Sequence, residues 1–204
     1  MTSPLLSRSN PAVPGLRRRL IAVAGFVGAV WIAYAASLVW PGLLEYGLIP
    51  RSSRGLLGLA TMPFLHGGLL HLLANSVPLA VLLVLLALTQ SKPLEIVAEL
   101  TLFSGLLLWL FGRTAVHIGA SALVSSLVLF LVVSGLRGRR PGPMLVAILV
   151  GVLYGLPTLL GVIPRFGSNI SWEGHLLGAL AGAAAGWLVG DPAGEPVEPP
   201  ALPE

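Results

Sequence analysis

The chain has 204 residues, of which 55% are hydrophobic and only 10% charged. A soluble domain carries about 25% charged residues, so a water-soluble globular fold is excluded and lipid is the solvent that suits this composition. The net charge of +4 comes without interleaved aromatic and basic residues, which argues against a nucleic-acid partner, and the absence of cysteine excludes disulfides and thiolate metal sites.

About 20 apolar residues cross the hydrocarbon core of a bilayer, and six stretches qualify. Residues 1–19 read as a cytoplasmic segment whose first 14 residues are polar and expected to be disordered. The first span is placed near Leu20–Trp40. Ala33-Tyr34-Ala35 fits a signal-peptide cleavage pattern, but the apolar stretch is longer than a signal core. Pro41–Pro63 is a long, partly apolar connector with room for a short interfacial segment. The second span is placed near Gly68–Leu88 and the third near Pro93–Phe111. Glu95 and Glu99 sit in the first turns of the third, either at the interface beside Lys92 or facing the bundle interior. The fourth is placed near His117–Leu136, the fifth near Pro143–Val162 and the sixth near Trp172–Val189. Residues 191–204 are rich in proline and acid and read as a disordered cytoplasmic tail. The expected fold class is therefore all-α, a polytopic membrane bundle of six transmembrane helices over residues 20–190.

Basic residues near span ends set orientation. With the N-terminus inside, the inner side carries Arg8, Arg17, Arg18, Arg19, Lys92, Arg137, Arg139 and Arg140, and the outer side carries Arg51, Arg54, Arg113 and Arg165. Eight against four favours both termini in the cytoplasm. The second, fourth and sixth spans then all begin at the outer face. Each begins with polar residues: His66, His71 and Asn75; His117, Gly119 and Ser121; and His175. Such groups are costly in a membrane and mark functional sites. Their common depth points to one shared site.

Nucleophilic catalysis suits this set. A serine hydroxyl needs a base to take its proton, and His175 has the right chemistry for Ser121. Acyl transfer also needs donors for the developing oxyanion. Asn75 offers an amide, His71 lies one turn earlier on the same face, and the Ser121 N–H is unpaired at a helix start. Gly119 allows close backbone approach. Gly178, Gly182 and Gly186 form a small-residue face that would dock the sixth helix and aim His175 at its neighbour.

Three motifs in order resemble the rhomboid family of intramembrane proteases. His66-Gly67-Gly68-Leu69-Leu70-His71-Leu72-Leu73-Ala74-Asn75 is similar to the family's H-x4-H-x3-N pattern on the second span. Gly119-Ala120-Ser121-Ala122 resembles its G-x-S-x nucleophile motif, and Gly174-His175 followed by the glycine face resembles its sixth span. The resemblance covers about Leu20 to Gly190. It implies a Ser121–His175 dyad without an acidic third member, and an oxyanion site of His71, Asn75 and the Ser121 backbone, supported by His66. It also implies cleavage of single-span membrane proteins near the outer face, without metal or cofactor. It fits a multi-pass protein of a bacterial plasma membrane. Two departures stand out: Ala122 follows the serine where many relatives have glycine, and Ser125 stands where many have an aromatic residue packed on the base. Ser125 either leaves His175 less firmly oriented or hydrogen-bonds nearby.

Other readings compete. An inactive family member would bind membrane clients without cutting them. The four histidines could bind zinc, although no carboxylate is clearly placed to join them. A small transporter would show duplicated halves, and none is visible in the sequence. His71 and Asn75 could act as helix glue, and His66 has a structural reading. His117 is expected beside the site, along a path for substrate or water. Glu173 is expected to stabilise a helix start behind a Ser171 cap, with pairing to His175 as the alternative.

Overall fold

The computed structural model describes residues 15–164 and 171–189. The disordered segments expected at both ends, residues 1–14 and 191–204, lie outside the described residues, as does Arg165. Six long helices organise the chain: α1 (Leu16–Val39), α2 (Leu69–Thr89), α3 (Pro93–Phe111), α4 (Ser121–Arg137), α5 (Pro141–Gly161) and α6 (Trp172–Val189). Pro93 and Pro141 open α3 and α5, where a missing N–H costs nothing. The expected connector segment is present as short turns, 3-10 at Pro41–Tyr46, Arg54–Leu56 and Met62–Phe64 and α at Gly58–Thr61.

The molecule is a helical membrane bundle. Helices α1, α2, α3 and α5 are long and apolar enough to cross a bilayer by themselves. The other two differ for physical reasons. α4 has only 17 residues, about 25 Å at 1.5 Å per residue, against a hydrocarbon core of about 30 Å. α6 begins with Trp172, Glu173, Gly174 and His175, which lower the hydropathy of its first turn. These two helices carry the residues singled out in the sequence. They are also the most closely paired in the bundle, with α4 touching α2, α3 and α5 as well.

Polarity is arranged for lipid. Only 17% of the apolar window of α1, and the same share in α5, is buried. Leu145, Ile148, Val152, Leu156 and Leu159 face outward on α5. The core lies between α2 and α4, where Leu72, Leu79, Leu82, Leu83 and Leu86 pack with Leu123, Leu127, Phe130 and Leu131. Glu95 and Glu99 are exposed on α3, so they do not face the bundle interior, and Glu95 pairs with Lys92 at 2.9 Å.

α4 and α6 meet through glycine. A Cβ on Gly178 would collide with the Ala122 carbonyl, and one on Gly182 with the Ser126 carbonyl. The backbones therefore touch, as a small-residue face permits. Ser126 strengthens the seam by donating to the Gly178 carbonyl at 2.8 Å as well as to Ala122 in its own helix.

One boundary differs from expectation. The fourth span was expected from His117, but α4 starts at Ser121. Gly119 has φ of +110°, which ends any helix there, and His117 instead forms an antiparallel bridge with Leu48. His117 and Ser121 are thus not on one helix.

Candidate active site

Loop contacts gather the starts of α2, α4 and α6 at one end of the bundle. The Leu48 and His117 backbones exchange hydrogen bonds of 2.9 and 2.8 Å, and the Gly119 N–H donates to Met62 at 2.9 Å. The connector is pinned to the same end. Arg51 donates to the carbonyls of Leu110 and Gly112 and to Thr114, and Trp109 donates to the Ser52 carbonyl. The opposite end is marked by Arg19 donating to the Gln90 carbonyl and by the Arg137 guanidinium stacked 4.0 Å from the Trp187 ring centroid.

Ser121 is the first residue of α4 and is half-buried. Its hydroxyl makes no hydrogen bond among the described residues. Its own N–H belongs to the first turn, where no intrahelical acceptor exists. One turn on, Ser125 is 1% exposed, and its Oγ lies 3.2 Å from His175 Nδ1. The imidazole thus meets α4 on the face that also carries Ser121, since residues four apart stack along a helix. Gly161 at the end of α5 lies on another side of the ring, where a Cβ would sit 2.9 Å from Nδ1.

His71 and His66 lie at the loop before α4. A Cβ on Gly119 would stand 2.6 Å from His71 Nε2, so both the positive φ and the nearby ring require glycine there. His66 is buried at 1% exposure, with its ring 5.0 Å from that of His71. Its Nδ1 is 3.4 Å from the Phe64 carbonyl, and its Nε2 accepts from the Ala120 N–H at 3.5 Å. Burial, then the neighbouring His71, push its pKa down to about 4, only partly opposed by the Phe64 carbonyl. His66 is therefore a neutral support under the loop that precedes Ser121. Asn75 is buried, and its amide donates to the His71 carbonyl at 2.9 Å, which leaves a second N–H on the same nitrogen.

His117 departs from expectation. It is 3% exposed, and both its ring nitrogens are engaged within the protein. Its Nδ1 is 2.7 Å from Ser171 Oγ, and its Nε2 is 3.0 Å from the Arg113 carbonyl. Nε2 must donate to a carbonyl, so Nδ1 accepts the Ser171 proton. Ser171 also caps α6 by accepting from the Gly174 N–H at 3.2 Å. Glu173 lies in the first turn of α6 behind that cap, as expected, and pairs with Arg113 at 3.5 Å. Burial lowers the pKa of His117, against the upward pull of the Arg113 carbonyl and Glu173. Sequence reading missed the Arg113–His117–Ser171 link, because His117 and Ser171 are 54 residues apart and carry no local signal. Among the described residues, the histidines and carboxylates form no group of three that could hold a metal ion.

Comparison with known proteins gives the family. The family model of the rhomboid domain matches residues 53–192, which include α2 to α6 and every site residue. An uncharacterized protein of Mycobacterium tuberculosis is 37% identical over 143 residues, covering 66% of this chain and 59% of that protein. One of Mycobacterium leprae is 39% identical over 132 residues, covering 60% of this chain and 52% of its own length. The matched region thus spans little more than half of these relatives. On the match to its domain, with helices and motifs in the same order, the chain belongs to the rhomboid family.

Proposed function

We propose that the chain is an intramembrane serine endopeptidase that cuts single-span membrane proteins near the outer face of the bilayer. The observation that carries this reading is the placement of Ser121. It opens α4 with an unengaged hydroxyl, one turn from the serine that meets His175. Ser121 is the nucleophile rather than Ser125, because Ser125 is buried and a substrate carbonyl has no way to it.

In this mechanism His175 takes the Ser121 proton as Oγ attacks the scissile carbonyl. The oxyanion forms beside the Ser121 N–H, the His71 ring and the second N–H of Asn75. His175 then returns the proton to the leaving amine, and water repeats the sequence on the acyl-enzyme. No step calls for a metal or cofactor. Gly119 keeps the approach to Ser121 open, and His66 holds the loop by accepting from Ala120. The basic asymmetry orients the active end outward and both termini toward the cytoplasm of a bacterial plasma membrane.

The rival within the family is a client-binding member that does not cut. Incubating the detergent-purified chain with a generic single-span substrate, beside Ser121→Ala, separates the two. Cleavage and fluorophosphonate labelling that vanish in the variant support the protease. Intact substrate and no labelling of the unmodified chain would favour the client-binding protein.

A further inference from the structure

We propose that Ser125 is a positioning residue for the base: its hydroxyl accepts the Nδ1–H of His175 and so presents the Nε2 lone pair to Ser121. The inference rests on the protease reading above but makes a separate claim about one proton. A general base needs an empty nitrogen facing its substrate, and neutral imidazole has one such nitrogen. If Nε2 is to accept from Ser121, Nδ1 must carry the proton and needs an acceptor.

Ser125 supplies that acceptor. Its oxygen lies 3.2 Å from Nδ1, and at 1% exposure no water competes for it. The hydroxyl hydrogen rotates about the Cβ–Oγ bond, so it can point away from Nδ1 and leave an oxygen lone pair facing the ring nitrogen. Gly161 completes the seat. A side chain there would press on Nδ1 and on Cγ, 2.9 and 3.1 Å from its Cβ, and would push the ring off the Ser125 hydroxyl. Two helices therefore fix the ring, one by a hydrogen bond and one by leaving room. When His175 takes the Ser121 proton, the Nδ1–H bond becomes charge-assisted and strengthens in the transition state. Ser125 and Gly161 carry no charge, so what they contribute to orienting the base differs from the carboxylate of three-membered Ser-His-Asp sites.

The test uses the full chain in detergent with 15N-labelled histidine, as wild type, Ser125→Ala, Ser125→Thr and Gly161→Ala. In wild type at neutral pH, the His175 shifts should report a proton on Nδ1. In Ser125→Ala the proton should move largely to Nε2. Turnover should fall in kcat by roughly tenfold to a hundredfold with KM unchanged, the size expected for one hydrogen bond made to a charge. Ser125→Thr keeps the hydroxyl and should restore both tautomer and rate, and Gly161→Ala should disturb both. Wild-type His175 protonated on Nε2, or an unchanged kcat in folded Ser125→Ala, would overturn the assignment. If Ser125→Ala does not fold, the wild-type tautomer decides alone. If the wild type neither cleaves nor labels, the protease reading fails, while the NMR result still decides whether Ser125 sets the tautomer.

Discussion

The bundle contains two serine–histidine pairs, and they teach different things. Ser171 and His117 stand 2.7 Å apart, Ser125 and His175 3.2 Å apart, and both contacts use Nδ1. In the first pair the chemistry is spent. Both ring nitrogens of His117 are bonded, and the Ser171 oxygen caps a helix while its proton goes to the ring. Nothing is left to react, and the pair joins the loop before α4 to the start of α6. In the second pair the histidine stands one turn from another serine, Ser121, whose hydroxyl is unengaged among the described residues. The same two residue types thus make a latch where every bond is satisfied and, on the proposed reading, a reactive centre where one serine is held in reserve.

The sharpest way to break this comparison is to remove the reserve. Ser121→Ala should abolish proteolysis and fluorophosphonate labelling and leave the melting temperature nearly unchanged, because no packing depends on that hydroxyl. His175→Ala should abolish activity as well, and adding it to Ser121→Ala should cost almost nothing further, since residues that share a step are not additive. Residual cleavage by purified Ser121→Ala, with contaminants excluded, would end the assignment.

Asn75 tests the oxyanion side. Asn75→Ala should lower kcat by roughly a hundredfold, about 3 kcal/mol, with little change in KM. The bond from Asn75 to the His71 carbonyl offers the contrary outcome. If the variant loses stability or affinity alone, the residue braces its helix and donates nothing to the reaction.

Acid should act on the fold through His66. The folded state holds this ring neutral down to about pH 4, whereas an unfolded chain protonates it near 6.5. Between those values the unfolded state binds more protons, so stability falls as pH drops through the window and levels off below it. The full effect is on the order of 3 kcal/mol. Thermal unfolding in detergent should show the decline in wild type and a flatter profile in His66→Phe. Equal profiles would place the acid sensitivity elsewhere.

The smallest effect belongs to the latch. Ser171→Ala removes a helix cap and one His117 bond and should cost about 1 kcal/mol of stability. Its kcat should stay near wild type in a folded sample. A loss of turnover approaching that of Ser121→Ala would show that the two pairs are not distinct in role.

Much of this was legible in the sequence. The third and sixth helices have the expected limits, Pro93–Phe111 and Trp172–Val189, because proline and the polar outer turn mark their starts. The glycine face of α6 also docks as its spacing predicts. The start of α4 was misplaced because Gly119 adopts a positive φ that composition does not announce, and His117 was taken into a helix it does not join. Ser125 was visible as a departure from the family pattern, and two outcomes were open. The structure supplies the hydrogen bond, because only packing sets where the His175 ring lies. The role of His117 was out of reach, since its partners come together only when the loop and α6 meet.

The shortness of α4 has a consequence for how the protein meets different lipids. Hydrophobic mismatch acts on surfaces that touch acyl chains, and α4 exposes only Leu136. A thicker or thinner bilayer presses first on α1 and α5, which tilt or draw lipid to fit. The depth of Ser121 is fixed by the backbone contacts of Ala122 and Ser126 with α6 and by the loops that gather at the start of α4. Ser121 and His175 therefore keep their spacing while the rim of the bundle adapts to the membrane.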